Sequence, residues 1–218
     1  MRAAVIGLFL WWGGGAAAQS ILLMGDSILV WNSYLDASVV DRLEQRFGDG
    51  VENNAAAGAM LTNPNALGSI FGYDIRTQFD GKLFDWVVLN GGANDILAEC
   101  GCGLCDAVLD DLSDVDGARG AMPQLVNEIR DTGAQVVLAG YYMPPSGGTA
   151  EFGCLDDLAA LNARYAALAA RDVDVYFLDT AALIPQDDLT LFDGDLLHPS
   201  EAGSRRLADA IATIISEN

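Results

Sequence analysis

The sequence predicts an α/β protein: a three-layer α/β/α sandwich around a parallel sheet of about five strands. Short apolar runs of strand length alternate along the chain with longer segments of helical spacing. The short runs are rich in Val, Ile, Leu and aromatic residues and mostly lack strict polar alternation, as strands covered on both faces do. No linker, internal repeat or low-complexity tract divides the chain.

The elements follow in order. ILLM at Ile21–Met24 reads as the first strand, ending on Gly25, and helical spacing follows over Val39–Phe47. A weaker strand starts at Val51, and WVVLN (86–90) is the third. A helical stretch ending MPQLVNEIRDTG (122–133) leads into QVVLAGYYM (135–143), the fourth strand. In the next helical segment, 155–172, Leu155, Leu158, Leu161, Tyr165 and Leu168 recur at spacings of three and four, which makes one apolar stripe. VDVYFLD (173–179) is the fifth strand, and 200–217 closes the chain as a helix. Right-handed crossovers would join these strands in parallel.

The first 18 residues have the layout of a cleaved secretory signal. Arg2 precedes an apolar run from Ala3 to Trp12, and small residues end at Ala18. Residues 19–218 then form one domain that is exported, to the periplasm or outside the cell. No cysteine follows the expected cut, and no later apolar stretch is long enough to anchor the chain in a bilayer. The chain has 11 Lys and Arg against 31 Asp and Glu, a formal net charge of -20. Such a field repels phosphate backbones and anionic headgroups, so nucleic acid is a poor partner.

Four cysteines, Cys100, Cys102, Cys105 and Cys154, lie beyond the signal. In an oxidising compartment they make two disulfides, with three possible connectivities. Pairing Cys100 with Cys102 would close a very tight ring and is disfavoured. A bridge from the 100–105 loop to Cys154 is expected to pin one wall of a cleft, because both follow strands at the same sheet edge. A thiolate metal site or a thiol-redox role is the competing reading, but CGCGLC lacks paired CxxC spacing.

In a parallel sheet the loops at the carboxyl ends of the strands share one edge, where ligands bind. Ser27 follows Gly25 and Asp26 there; a serine in this position is either a helix cap or a nucleophile. A nucleophile needs a base, and the chain has one histidine, His198. It stands three residues after Asp195, which can orient the ring, and directly before Pro199, which starts a helix well. Donors for a developing oxyanion are available from the backbone N–H groups of Ser27 and Gly58 and from the Asn94 side chain. Asp26 reads as a local backbone anchor, since Asp195 already fills the acid's place.

GDS at 25–27, Gly58, GAND at 92–95 and DLLH at 195–198 resemble, in order, the four blocks of the SGNH hydrolases within the GDSL-type esterases and lipases. The resemblance implies a flavodoxin-like sheet, a triad of Ser27, Asp195 and His198, and an oxyanion hole from Ser27, Gly58 and Asn94. It implies no metal or organic cofactor, and a small-molecule or lipid-type ester as substrate. The expected activity is ester hydrolysis of lysophospholipase or arylesterase type; removal of acetyl groups from polysaccharide and a non-catalytic binding module are the alternatives. One departure is the apolar Ile28, Leu29, Val30 and Trp31 after the serine, where many relatives carry smaller or polar residues. Trp31, Tyr34, Met60 and Leu61 flank the motifs and are candidates for the lining of an acyl groove, though about half of such apolar neighbours are ordinarily core.

Overall fold

The four residues of β1, Ile21–Met24, are all buried, and this strand is flanked on both sides. The computed structural model describes residues 19–62, 71–145 and 154–218; the expected signal segment, 1–18, lies outside them. β2 (Val51–Asn53), β3 (Trp86–Leu89), β4 (Gln135–Ala139) and β5 (Val175–Leu178) complete a sheet of order β2-β1-β3-β4-β5. Every pairing is parallel, with Ile21 opposite both Val51 and Trp86, and Leu89 opposite Met24 and Leu138. This is the flavodoxin-like order, with helices on both faces.

The helices are α1 (Ser27–Val30), α2 (Val39–Phe47), α3 (Ala93–Cys100), α4 (Asp106–Leu112), α5 (Ala121–Arg130), α6 (Leu155–Ala169), α7 (Thr180–Leu183) and α8 (Glu201–Glu217). α2 packs against α8, while α4 packs against α3, α5 and α6. Side-chain caps begin some of them. Ser38 and Asp41 form a reciprocal capping box at α2, and Ser200 accepts from the Gly203 N–H at α8. On α6, Leu158, Leu161, Tyr165 and Leu168 are buried as the stripe requires, and Leu155 is half-buried.

Two strands are shorter than their apolar runs. β4 stops at Ala139, and Gly140 after it packs so closely that a Cβ there would sit 2.6 Å from the Asn162 Oδ1. The Asn162 amide then takes the place of a neighbouring strand: it accepts from the Tyr141 N–H (2.8 Å) and donates to the Tyr141 carbonyl (2.6 Å). β5 begins at Val175, and Val173 belongs to the exposed turn before it. α3 and α4 were not legible as helices, since both are short and a glycine- and cysteine-rich loop separates them.

All four cysteines are paired, Cys100 with Cys105 and Cys102 with Cys154, at Cα separations of 5.4 and 4.5 Å. The second bridge ties the loop after α3 to the start of α6, as expected of a link to Cys154. With both pairs formed, the four cysteines fit the two-disulfide reading. Among the described residues, no helix is long and apolar enough to cross a membrane.

From β1 the chain moves outward to β2 on one side and returns to β3 on the other, so the strand order reverses there. The crevice outside the carboxyl ends of such strands is where a ligand fits.

Candidate active site

The turn after β1 is built by contacts from distant residues. Gly25 has φ +141°, and a Cβ on it would fall 1.9 Å from the Asn90 Oδ1, so the position needs glycine. The Gln78 amide accepts from the Gly25 N–H (2.6 Å) and donates to its carbonyl (3.1 Å). Asp26 caps α1 by accepting from the Ile28 N–H. Ser27 is therefore the first residue of α1, and the capping role belongs to its neighbour.

Asp26 is buried, and its carboxylate accepts from the Asn90 Nδ2 (2.7 Å) and the Tyr141 hydroxyl (2.6 Å). Burial pushes its carboxyl above the usual range, against the opposing pull of Tyr141, Ile28 and Asn90. Burial likewise lifts the Tyr141 hydroxyl well above its ordinary value, so it remains a donor. The anchor reading of Asp26 fits these contacts.

His198 comes back to Ser27 from the far end of the chain. Its Nε2 lies 2.9 Å from the Ser27 Oγ, and its Nδ1 lies 2.6 Å from the Asp195 Oδ2. A carboxylate can only accept there, so Nδ1 carries the proton and Nε2 is left to accept from the serine. The other Asp195 oxygen accepts from the N–H groups of Leu197 and His198, both at 2.9 Å. Burial works to raise the Asp195 carboxyl, but the imidazole and these two N–H groups outweigh it and hold it below the usual range. The Tyr142 hydroxyl donates to the Leu197 carbonyl (2.9 Å), which fixes the loop from behind.

Gly58 and Asn94 reach the same cleft from the loops after β2 and β3. Gly58 has φ +79°. Asn94, in the first turn of α3, donates one amide hydrogen to the Ala59 carbonyl (2.9 Å), and its second has no partner among the described residues. Asp95 is fully buried and accepts from the N–H groups of Leu61 (3.0 Å) and Thr62 (2.6 Å). It thereby locks the Gly58 loop onto α3.

The cleft measures about 420 Å³. Ser27, His198, Gly58 and Asn94 stand together in it, and Ile28, Leu97, Pro144, Leu158 and Leu197 give it an apolar wall beside Cys154. Of the four expected groove residues, only Trp31 lines it. Leu61 is fully buried in the core, Met60 pairs its backbone with Tyr73, and Tyr34 stands 76% exposed away from the lining. For Tyr34 the reason is local: α1 is a single turn and the chain reverses at Asn32, which has φ +71°. Such a constellation can activate a hydroxyl, shuttle its proton and hold a negative oxygen.

Residues 23–206 match the family model of the GDSL-like lipase/acylhydrolase family. The chain belongs to this family. No curated protein matches it by sequence. Among solved structures, a candidate SGNH hydrolase from Slackia heliotrinireducens is 24% identical at a TM-score of 0.65, covering 90% of this chain and 98% of that one. An aryl esterase from M. smegmatis is 21% identical at a TM-score of 0.66, covering 92% and 99%. A carbohydrate acetylesterase from Sinorhizobium meliloti is 20% identical at 0.64, covering 91% and 99%. These likenesses support the GDSL-family fold.

In this GDSL-family chain several cleft residues escaped sequence reading. The apolar run 135–143 hides Tyr141 and Tyr142 in the fourth strand, although a glycine followed by two tyrosines at a strand's carboxyl end is a usable sign of a ligand-facing loop. Leu158 reads as one more residue of the α6 stripe, and Leu97 carries no signal because α3 is not legible in the sequence. Asp193, which stands behind the lining and accepts from the Trp31 indole N–H at 2.6 Å, has no sequence signal.

Proposed function

We propose that this GDSL-family hydrolase is a serine esterase that cleaves carboxylic esters through an acyl-enzyme on Ser27. The observation that carries the reading is the continuous chain from the Ser27 Oγ through His198 to Asp195, at 2.9 and 2.6 Å. The Ser27 oxygen attacks the ester carbonyl while its proton passes to His198 Nε2, and Asp195 stabilises the imidazolium. The N–H groups of Ser27 and Gly58 and the free amide hydrogen of Asn94 hold the oxyanion. The imidazolium then returns the proton to the departing alcohol. A water, deprotonated by the same ring, releases the carboxylic acid and restores the serine.

The apolar wall of the cleft favours a lipid-type or simple carboxylic ester, of lysophospholipase or arylesterase character. The likeness to a carbohydrate acetylesterase supports a second reading, O-acetyl removal from polysaccharide. Export to an oxidising compartment is supported by the two disulfides. The test is p-nitrophenyl ester hydrolysis by the wild type and by Ser27→Ala. Turnover should be lost in the variant with thermal unfolding unchanged; retained turnover refutes the assignment. A chain-length series run beside acetylated sugars separates the two substrate readings.

A further inference from the structure

We propose that Trp31 and Asp193 form a clamp that fixes the His198 imidazole in its working orientation, which makes Trp31 a positioning residue of the reaction. This rests on the reading of Ser27, His198 and Asp195 as the reacting set. The Trp31 and His198 rings lie face to face, with centroids 3.6 Å apart and planes 6° from parallel. The indole is itself held, because its N–H donates to the Asp193 Oδ2 at 2.6 Å. Asp193 is fixed in turn: its N–H donates to the His198 carbonyl (2.8 Å), and its other oxygen accepts from the Gly194 N–H (2.7 Å). Imidazole, indole, Asp193 and the histidine's own backbone thus close a circuit.

The circuit supplies something that the Asp195 contact cannot. A hydrogen bond to one edge of a planar ring leaves it free to tilt about that contact, and a small tilt carries Nε2 away from the serine oxygen. The stacked indole blocks tilting toward its face. Trp31 follows Ser27 by four residues, and its N–H donates to the Ser27 carbonyl (2.8 Å), so both lie on one side of the single-turn α1. The helix that presents the nucleophile therefore also presents the surface against which the base is aligned. An aromatic face also attracts a cation, and the ring carries positive charge only after taking the serine proton.

Trp31 also lines the cleft, so a simple wall contact is the competing explanation, and the two differ in what they affect. Because His198 is the one histidine in the chain, its ring protons give an isolated proton NMR signal in tag-free protein. The indole ring current should displace that signal upfield in the wild type. In Trp31→Leu the displacement should vanish and kcat on a p-nitrophenyl ester should fall about tenfold or more, with KM changed less than about threefold. Trp31→Phe should restore part of the displacement and most of kcat. Asp193→Ala frees the indole edge without removing its bulk, and should lower kcat about three- to tenfold at unchanged KM. The proposal is overturned if the wild-type signal is undisplaced, if Trp31→Leu or Asp193→Ala keeps full kcat, or if the loss falls on KM alone. A wild type that hydrolyses no ester overturns the esterase reading. An active wild type with an unimpaired Trp31→Leu overturns only the clamp.

Discussion

Asp26 and Asn90 exchange hydrogen bonds across the ends of β1 and β3: the Asp26 N–H donates to the Asn90 Oδ1 (3.0 Å), and the Asn90 Nδ2 donates to the Asp26 Oδ1 (2.7 Å). Both residues are buried, so removing the Asn90 amide leaves the Asp26 N–H without its partner and takes one donor from the Asp26 carboxylate. Asn90→Ala should lower unfolding stability by about 2–4 kcal/mol, read from a denaturant midpoint. A change near zero would show that the pair does not brace the turn that presents Ser27.

The Gly25 position tests the same turn by addition. Gly25→Ala would place a methyl against the Asn90 amide at a backbone angle that alanine rarely adopts. We expect destabilisation of about 1–3 kcal/mol or more, with loss of ester hydrolysis because Ser27 moves with the turn. Wild-type stability and rate would show that the turn tolerates a side chain.

Asn94→Ala removes a neutral donor without touching Ser27 or His198. If the amide holds the oxyanion, kcat falls about 100- to 1,000-fold while KM stays close to the wild-type value. Steady-state kinetics decide it, and a kcat within about threefold of wild type excludes the role.

Asp195 gives a signed pH dependence. Its folded-state carboxyl is held below the usual range, whereas the unfolded value is about 3.9. A group depressed in the folded state stabilises it above the unfolded value and loses that contribution as pH falls through the folded value. The stability gap between wild type and Asp195→Asn should therefore be wider at about pH 6 than at about pH 3. Chemical denaturation at both pH values measures it, and an equal gap argues against the pairing.

The two disulfides close loops of very different length, with sequence separations of 5 and 52. On chain entropy alone, removing the short one should cost about 2 kcal/mol and the long one about 4 kcal/mol. Cys100→Ser/Cys105→Ser and Cys102→Ser/Cys154→Ser should rank in that order in thermal unfolding. The second pair should also alter preference among acyl chain lengths, since Cys154 borders the cleft.

Much of this architecture is legible in the chain because it rests on local or periodic signals. Ile21–Met24 and Trp86–Leu89 read as strands because burial on both faces demands uninterrupted apolar residues. α2 and α8 are legible by their helical spacing, but the start of α8 is not where the proline suggests: Ser200 is its cap, and Pro199 lies outside the helix instead of at its first position. Ser27, Gly58, Asn94 and His198 can be gathered in advance because a parallel sheet sends all its strand-end loops to one edge.

Other features depend on residues that only folding brings together. Asp26 finds its donors 64 and 115 positions away, in Asn90 and Tyr141, and no spacing in the chain encodes those meetings. The ring of Trp31 lies on His198 because α1 ends after one turn and the loop from Asp193 to Pro199 returns across it. The disulfide partners follow in the same way from where α3 and α6 come to rest. Periodicity and capping are short-range properties of a chain, so they survive in its linear order. The precise company of each cleft side chain is a matter of packing, and packing exists only once the sheet and its helices have assembled.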